Sequence, residues 1–249
     1  RQGWEKRRVV FTVNEKSHNT MRWDSLASLP LFIGMSQKEL ESIMTQTRID
    51  FNKVDADTVI VRRNQKCGKL VIAISGELLC ETCSDDNAYK IEEEISAPMV
   101  LQPVSIFGKY QVFTKTITAV TQTNTITFEK DELHRLLDKS LIFRINLIRI
   151  LATQLQKREQ QLCKQVYHPK GNTPGEQRND SLVYRIKQFI KCRCVTPAGR
   201  KVLYVNMDDL GDMLGQNRQQ ISIALNSMEQ EGLLKSLRGK IVIPQLQDL

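Results

Sequence analysis

The sequence has no apolar run approaching the roughly 18 residues that a membrane span needs. Its longest apolar stretch, LIFRINLIRILATQL, is interrupted by Arg144, Asn146 and Arg149. The amino-terminal part is charged and lacks a continuous apolar core followed by a small-residue cleavage site, so we expect no secretory signal. These absences argue against a membrane partner and predict a cytoplasmic protein.

Histidines are scarce, and the cysteines are not spaced as a metal site. Six cysteines include a C-x-x-C pair, Cys80 and Cys83, and a C-x-C pair, Cys192 and Cys194, but the three histidines complete no zinc array. We expect reduced thiols without a metal or cofactor. A metal site or redox switch at Cys80 and Cys83 stays open as an alternative.

The sequence also lacks the constellations of an enzyme. It shows no nucleophile–base pair, no carboxylate dyad and no phosphate-binding loop, so we expect no catalysis. With 249 residues, 41% hydrophobic and 26% charged, the composition is that of folded domains. The net charge of +8 favours a polyanionic partner such as nucleic acid.

The first half of the chain changes from a helical to a strand pattern. Ser36 and Glu39 form a capping-box signature that predicts a short helix over about 37–47. From Ile49 to Phe128, short β-branched segments alternate with turn residues, as in TVIVRR, KLVIAISGELLCET, NAYKIEEEI and TITAVTQTNTITF. Such regular spacing predicts an antiparallel roll or barrel rather than βαβ units.

A heptad pattern follows the strands. Steps of four and three favour a two-stranded coiled coil, although a long helix packed on its own domain could give a similar stripe. The predicted dimer interface comprises Leu137, Leu141, Arg144, Ile148, Leu151, Leu155, Arg158 and Leu162.

The stretch YHPKGNTPGEQRND has two prolines and two glycines and is the clearest linker in the chain. It sets the predicted domain boundary. The predicted parts are an N-terminal extension at 1–28, a β-roll effector-sensing domain at 29–130, a dimerisation helix at 131–166, a linker at 167–180 and a DNA-binding domain at 181–249.

The C-terminal part predicts a winged helix-turn-helix. A helix with Asn206 as N-cap, a glycine turn at Gly215, a second amphipathic helix and a hairpin about Arg238-Gly239 follow one another in this order. The first helix of such a motif supports the second, which enters the DNA major groove. The core positions of the second helix should be Ile221, Ala224, Leu225 and Met228.

The remaining side chains of the second helix are those that DNA recognition uses. An Arg can donate two hydrogen bonds to guanine O6 and N7, and a Gln can pair with an adenine edge. A polar helix face is more often only solvated, but the surrounding helix, glycine, helix and hairpin order favours base recognition. The predicted DNA-binding residues are Asn217, Arg218, Gln219, Gln220, Ser222, Ile223 and Asn226, with Arg238 and Lys240 in the hairpin.

The segment MLGQNRQQISIALNSMEQEGLLKSLRGKIVI resembles the cyclic AMP receptor protein / fumarate-nitrate regulator (Crp/Fnr) family of bacterial transcription factors. The family pattern there is a helix, G-x-S-R-x-x-[IV], a long helix, G-L-[IL] and a glycine-containing wing. Upstream, LPLFIGMSQKELESI looks like the family's opening segment and ISGEL looks like part of its β-roll. The heptad helix stands where its dimerisation helix belongs.

This resemblance implies residue roles. The family's principal base-reading Arg falls on Arg218, its next recognition position on Gln219, and its phosphate-contacting hydroxyl positions on Asn217 and Gln220. A third reader, an Arg in the best-known member, falls on Ile223, which puts the usual operator in doubt. An isoleucine there could contact a thymine methyl group.

At the sensor end the sequence departs from the family. The Arg-Ser pair that holds a cyclic phosphate falls on Phe113-Thr114, and Gly76-Glu77 is better explained as a strand turn. Lys109 and Lys115 do not stand where the motif expects a cation. We therefore expect an effector other than cyclic AMP, or none. The cysteine cluster of the iron–sulfur branch is absent, and no histidine lies between Met21 and Leu133 for the commonest haem ligation.

The resulting prediction is an α+β protein with an N-terminal antiparallel β-roll of the cyclic-nucleotide-binding type, a double-stranded β-helix. A long dimerisation helix and a C-terminal winged helix-turn-helix complete the expected fold. The predicted function is a homodimeric transcription regulator of a pseudo-palindromic DNA operator, with RNA polymerase as an expected further partner. The alternative is an effector-binding or redox-responsive module whose helix-turn-helix contacts proteins.

Overall fold

The computed structural model describes residues 26–166 and 181–249, without the side chains of 160–166. The predicted extension up to residue 25, the linker 167–180 and the side chain of Leu162 lie outside the described residues. The chain divides into two compact units. The first contains residues 26–78 and 96–155, and the second contains residues 79–95, 156–166 and 181–249.

The first unit opens with helix α1, Gln37–Gln46. The backbone N–H of Glu39 donates to Ser36 Oγ at 3.3 Å, and the backbone N–H of Ser36 donates to Glu39 Oε2 at 2.8 Å. The Ser36 N–H and the Ser36 hydroxyl, which donates to Glu39 Oε2 at 2.7 Å, favour the ionised carboxylate and hold the pKa of Glu39 below its usual range. The predicted capping box is confirmed, and the helix ends one residue before the predicted Thr47.

The strands up to residue 129 are, in chain order, β1 Asp50–Val54, β2 Val59–Val61, β3 Lys69–Ser75, β4 Glu77–Cys83, β5 Tyr89–Ser96, β6 Met99–Leu101, β7 Thr116–Ala119 and β8 Thr123–Glu129. In the first unit β1, β8, β3 and β6 form one sheet in that order, and β2 pairs with β7. These pairings are antiparallel, as predicted. A short helix, α2, follows β6 at Val104–Phe107.

An aromatic cluster holds the following helices against this sheet. The rings of Phe32, Phe128 and Phe143 are buried, and their centroids are 5.5–6.3 Å apart. Tilted and edge-on pairs of this kind contribute about 0.5–1.5 kcal/mol each beyond the area they bury. Phe143 thereby fixes the first turn of the long helix on the β-roll.

Two helices replace the single heptad helix of the sequence prediction. Helix α3 is Lys130–Lys139 and α4 is Leu141–Val166, with the break at Ser140. Ser140 Oγ accepts a hydrogen bond from the N–H of Phe143 at 3.2 Å and so caps α4. Arg144 donates to the carbonyls of Leu137 at 2.7 Å and Asp138 at 3.2 Å, which satisfies the end of α3.

The second unit contains the C-terminal elements α5 Leu182–Arg193, β9 Lys201–Val205, α6 Met207–Leu214, α7 Arg218–Gln230, β10 Lys235–Leu237 and β11 Lys240–Ile243. A 3-10 turn, Leu246–Asp248, follows them. The sheet of this unit has the order β10-β11-β9-β5-β4, and its pairs β10–β11, β11–β9 and β9–β5 are antiparallel. The helices pack over one apolar core, which includes the buried side chains of α5, α6 and α7.

Strand β5 belongs with the C-terminal elements, a placement that the sequence did not indicate. It pairs with β9 from Tyr89 opposite Val205 to Glu93 opposite Lys201, and Ile91 is fully buried in the core of the second unit. The sequence prediction assigned residues 79–95 to the β-roll at 29–130. Alternating burial identifies a half-buried strand, but it does not indicate which sheet the strand joins.

Candidate nucleic-acid interface

A glycine turn joins α6 to α7. Gly215 closes α6 in the left-handed region, with φ +60° and ψ 40°, where a side chain would be strained. Its N–H donates to the carbonyl of Asp212, and the N–H of Gln216 donates to the carbonyl of Gly211 at 2.9 Å. The chain therefore reverses within three residues and starts α7 at Arg218.

The first turn of α7 is closed by a capping box. The N–H of Gln220 donates to Asn217 Oδ1 at 2.9 Å, and the N–H of Asn217 donates to Gln220 Oε1 at 3.4 Å. Both side chains, predicted as phosphate contacts, are exposed while they cap the helix. The other N–H groups of this turn lie at the N-terminal end of the helix, and this end favours anions.

One face of α7 forms the core. Ile221, Ala224, Leu225 and Met228 are buried, which confirms the four core positions predicted from the sequence. They pack in one cluster with Leu210 and Leu214 of α6 and with the buried residues of α5. Helix α6 therefore supports α7, as the helix-turn-helix arrangement requires.

The opposite face of α7 is open to solvent. Gln219, Ile223 and Asn226 lie across the helix from the buried face, and the Ile223 side chain is 63% exposed. Arg218 and Gln220 are exposed at the start of the helix, and Ser222 is half-buried. Of the predicted recognition positions of α7, Gln219, Ile223 and Asn226 thus lie opposite the buried face, and Arg218 and Gln220 are exposed beside it.

Arg218 has a partner that the sequence analysis did not identify. Its Nη1 donates to Oδ2 of Asp208 in the first turn of α6 at 3.3 Å, and the two side chains remain 70% and 68% exposed. The sequence does not show this pairing, because Asp208 and Arg218 lie in different helices and meet only in the folded chain.

Strands β10 and β11 form the wing. They pair antiparallel from Lys235 opposite Val242 to Leu237 opposite Lys240, with Arg238 and Gly239 in the turn. Arg238 is exposed and Lys240 is half-buried. The structure therefore presents the predicted wing cation Arg238 at the tip, while Lys240 lies in the strand.

A groove of about 420 Å³ runs beside α7. Arg185 on its wall donates to the carbonyl of Leu214 and so ties α5 to the end of α6. The groove is continuous with the exposed face of α7 through Gln220 and Ile223. The lining residues are Leu182, Val183, Arg185, Gln216, Gln220, Ile223, Ala224 and Ser227.

A buried ion pair fixes the turn between α5 and β9. Glu93 and Lys201 are both 0% exposed, and Lys201 Nζ lies 3.0 Å from Glu93 Oε1. The Glu93 carboxylate also accepts the N–H groups of Val195 at 2.7 Å and Thr196 at 3.2 Å. Because β9 pairs with the wing strand β11, residues 79–95 help to position the wing.

A second charged cluster lies on β4 and β5. Lys90 Nζ contacts Glu92 at 2.6 Å and Glu81 at 3.2 Å. Partial burial lowers the pKa of Lys90, but the hydrogen bonds to Glu92 and Glu81 outweigh it and leave the pKa above its usual value. The hydrogen bond from Tyr204 to Glu92 at 2.9 Å likewise raises the pKa of Tyr204.

Helix α4 carries an exposed apolar stripe. Leu141, Ile148 and Leu155 are 62%, 58% and 61% exposed, and Ile145, which was not among the predicted interface residues, is 44% exposed. Arg144 and Arg158 are exposed and Leu151 is half-buried. Leu137 lies half-buried on α3 rather than on α4.

In the β-roll, Phe113 is buried and Thr114 is held by Gln102. Gln102 Oε1 accepts the N–H groups of Thr114 at 2.8 Å and Lys115 at 3.0 Å. Gly76 has φ +111°, and a Cβ there would lie 2.4 Å from Thr123 Oγ1. Gly76 therefore serves the turn between β3 and β4, as the sequence analysis expected.

The described part of the chain contains no group of three or more His, Cys, Asp and Glu side chains arranged to hold a metal ion. Burial raises the pKa of the Cys67 thiol. Across residues 26–166 and 181–249, no helix is both long and apolar enough to cross a membrane.

Comparison with known proteins identifies the C-terminal part. Residues 185–249 match the family described as the Crp-like helix-turn-helix domain. A search of curated protein sequences finds no match.

Among solved structures, the catabolite activator protein of Thermus thermophilus has a TM-score of 0.49 at 15% identity, covering 86% of this chain and 93% of that chain. A Crp/Fnr-family regulator from Eubacterium rectale has 0.48 at 20%, covering 89% and 99%. The c-di-GMP-responsive regulator CLP of Xanthomonas campestris has 0.42 at 14%, covering 84% and 99%. None of these likenesses bears on what this chain binds.

The match at 185–249 covers α6, the glycine turn, α7 and the wing. Residues 185–249 are thus a Crp-like helix-turn-helix domain.

Proposed function

We propose that the chain is a homodimeric, sequence-specific DNA-binding transcription regulator. The observation that carries this proposal is the two-sided character of α7. One side is buried against α6 and α5, and the other presents Arg218, Gln219, Ile223 and Asn226 to solvent at the end of a tight turn. A supported, outward-facing helix of this kind enters a major groove.

Each exposed side chain of α7 has a role in this proposal. Arg218 reads guanine O6 and N7, and Gln219 and Asn226 offer amides to an adenine edge. Ile223 contacts a thymine methyl group, and Ser222 hydrogen bonds at the rim of the contact. These roles differ in kind, so they predict an operator with both guanine and thymine positions in each half-site.

Phosphate contacts position α7 in the groove. Asn217 and Gln220 lie at the start of the helix, and Arg238 and Lys240 lie in the wing. Contacts to phosphate fix register and orientation but carry no sequence information themselves. The net charge of +8 supports the same electrostatic attraction to DNA.

The dimer interface in this proposal comprises the exposed residues Leu141, Ile145, Ile148 and Leu155 of α4. It also includes the other residues predicted from the heptad pattern, Leu137, Arg144, Leu151, Arg158 and Leu162. These apolar side chains recur along α4 at the spacing of a coiled coil. Burying side chains of this size away from water is favourable. A second copy of α4 supplies the matching stripe. Two-fold symmetry then places two copies of α7 on half-sites about one helical turn apart.

The β-roll is the sensor of this regulator, with an effector other than a cyclic nucleotide. The buried Phe113, which stands where the family resemblance places an arginine, supports this assignment. An effector acts by shifting the population of two dimer arrangements that differ in DNA affinity. The protein partner of the proposed regulator is RNA polymerase. Its compartment is the cytoplasm.

Selection of binding sites from a random DNA pool tests this function. The full chain is used with and without a cell metabolite extract, and the enriched sequences are footprinted. We expect a two-fold symmetric motif whose affinity falls steeply with salt. Weak, salt-insensitive binding without a two-fold motif would contradict the proposal and favour a helix-turn-helix that contacts proteins.

A further inference from the structure

Arg218 and Asp208 form an ion pair on the surface that the proposed function assigns to DNA. Arg218 is the first residue of α7 and Asp208 is the second residue of α6. The Nη1–Oδ2 distance is 3.3 Å, and about two-thirds of each side chain remains open to solvent. Any DNA group that contacts Arg218 must therefore approach the Asp208 carboxylate as well.

The carboxylate restricts the orientation of the guanidinium. One of the five N–H donors of Arg218 is engaged by Asp208, and the others remain available in a fixed planar arrangement. An arginine that is held before binding loses less conformational freedom when it meets a base. Asp208 thus favours the two parallel hydrogen bonds that guanine O6 and N7 accept.

The same carboxylate acts differently on phosphate and on guanine. A phosphate oxygen bound to Arg218 brings a second negative charge close to the Asp208 carboxylate, which repels it. The major-groove edge of guanine carries no net charge and meets no such repulsion. Asp208 therefore weakens attachment of Arg218 to the DNA backbone more than its attachment to a base.

The geometry points to Asp208 as a specificity-determining residue that directs Arg218 from phosphate to guanine. This inference rests on the proposed function, because it needs α7 to face DNA. Asp208 acts through Arg218 and is a positioning residue. Its removal should affect the ratio of operator to random-DNA affinity, a quantity that a merely structural role would leave unchanged.

The test compares Asp208→Asn with Asp209→Asn in the full chain. Asp209 lies in the same helical turn and accepts a hydrogen bond from Asn206 Nδ2 at 3.1 Å, so it matches the charge change without facing Arg218. Binding is measured on the selected operator and on a random duplex of equal length, at several salt concentrations. Circular dichroism confirms that both variants are folded.

We expect Asp208→Asn to raise random-DNA affinity about threefold to tenfold. It should also steepen the salt dependence by about one phosphate contact. Operator affinity should change less, so the specificity ratio falls. In an Arg218→Ala background, Asp208→Asn should no longer change the ratio.

Two results would overturn the inference. An unchanged ratio in Asp208→Asn means that the carboxylate does not direct Arg218. An equal change in Asp209→Asn means that total charge alone matters. Either result leaves the proposed function standing, whereas the absence of any selected operator in the wild-type chain removes the function itself.

Discussion

At the scale of single residues, the polar face of α7 differs from a merely solvated face in two ways. It includes a large apolar side chain, Ile223, that remains 63% exposed although α7 buries four other apolar residues. This face also begins with Arg218, which already forms an ion pair with Asp208. Single exposed apolar side chains are common on protein surfaces, but in the proposed interface a thymine methyl group covers Ile223.

Arg218→Ala tests the strongest base contact. Loss of a bidentate contact to guanine should weaken operator binding by about 1–3 kcal/mol and relax specificity at one base pair. Arg218→Lys keeps the charge but lacks the planar fork, so random-DNA affinity should persist while the preference for guanine is lost. Equal operator affinity in wild type and Arg218→Ala would contradict this role.

Ile223→Ser tests the proposed methyl contact. Replacing thymine by uracil in the operator removes only the methyl group, and wild-type binding should weaken by up to about tenfold at the contacted position. Ile223→Ser should bind the two duplexes equally, since it lacks the apolar side chain that contacts the methyl group. Titration of both proteins with both duplexes measures the coupling, and a variant that still distinguishes them would refute the contact.

At the scale of elements, residues 79–95 supply part of the DNA-binding unit. Strand β5 covers the edge of β9, Ile91 fills the core, and Glu93 neutralises Lys201. An unpaired charge in that position would be costly because both side chains are fully buried. The unit that carries α7 and the wing therefore includes a strand pair that lies about a hundred residues earlier in the sequence.

Glu93→Gln should destabilise the second unit strongly. It leaves Lys201 buried without its counter-charge, which costs about 3–5 kcal/mol of unfolding free energy. Glu93→Gln/Lys201→Met should lose less than the sum of the single variants, because neither buried charge is left unpaired. Urea denaturation measures these losses, and hydrogen exchange at the β9 amides locates them.

Arg200 and Glu94 provide the matched control for this pair. They lie beside Lys201 and Glu93 in sequence, but their 3.5 Å contact is more than half exposed. Arg200→Ala should therefore change the unfolding free energy by no more than about 1 kcal/mol. A loss in Glu93→Gln no larger than that in Arg200→Ala would show that the buried pair does not hold the unit together.

Local signals in the sequence predict elements well and their partners poorly. The capping boxes at Ser36 and Asn217 and the buried positions of α7 follow from spacing alone. The break at Ser140 was missed because the heptad count continues through it, although a serine before an apolar run is an N-cap signal. The pairing of β5 with β9 and of Asp208 with Arg218 depends on tertiary contacts between distant segments.

At the scale of the whole molecule, the main expectation is a two-fold symmetric dimer formed through α4. Ile148→Glu would place a charge in the exposed stripe of α4, so the variant should sediment as a monomer at concentrations where the wild type is a dimer. Thr153→Glu lies across the same helix and should leave the dimer intact. Analytical ultracentrifugation separates the two outcomes, and a monomeric wild type would exclude the proposed interface.

The central claim is that α7 reads guanine in the major groove of both half-sites. Methylation interference measures this most directly, because dimethyl sulfate modifies guanine N7 in that groove. We expect methylation of one guanine in each half-site, symmetrically placed, to abolish binding by the wild type, while Arg218→Ala becomes insensitive to it. Interference at no guanine, or the same pattern in Arg218→Ala, would contradict the account.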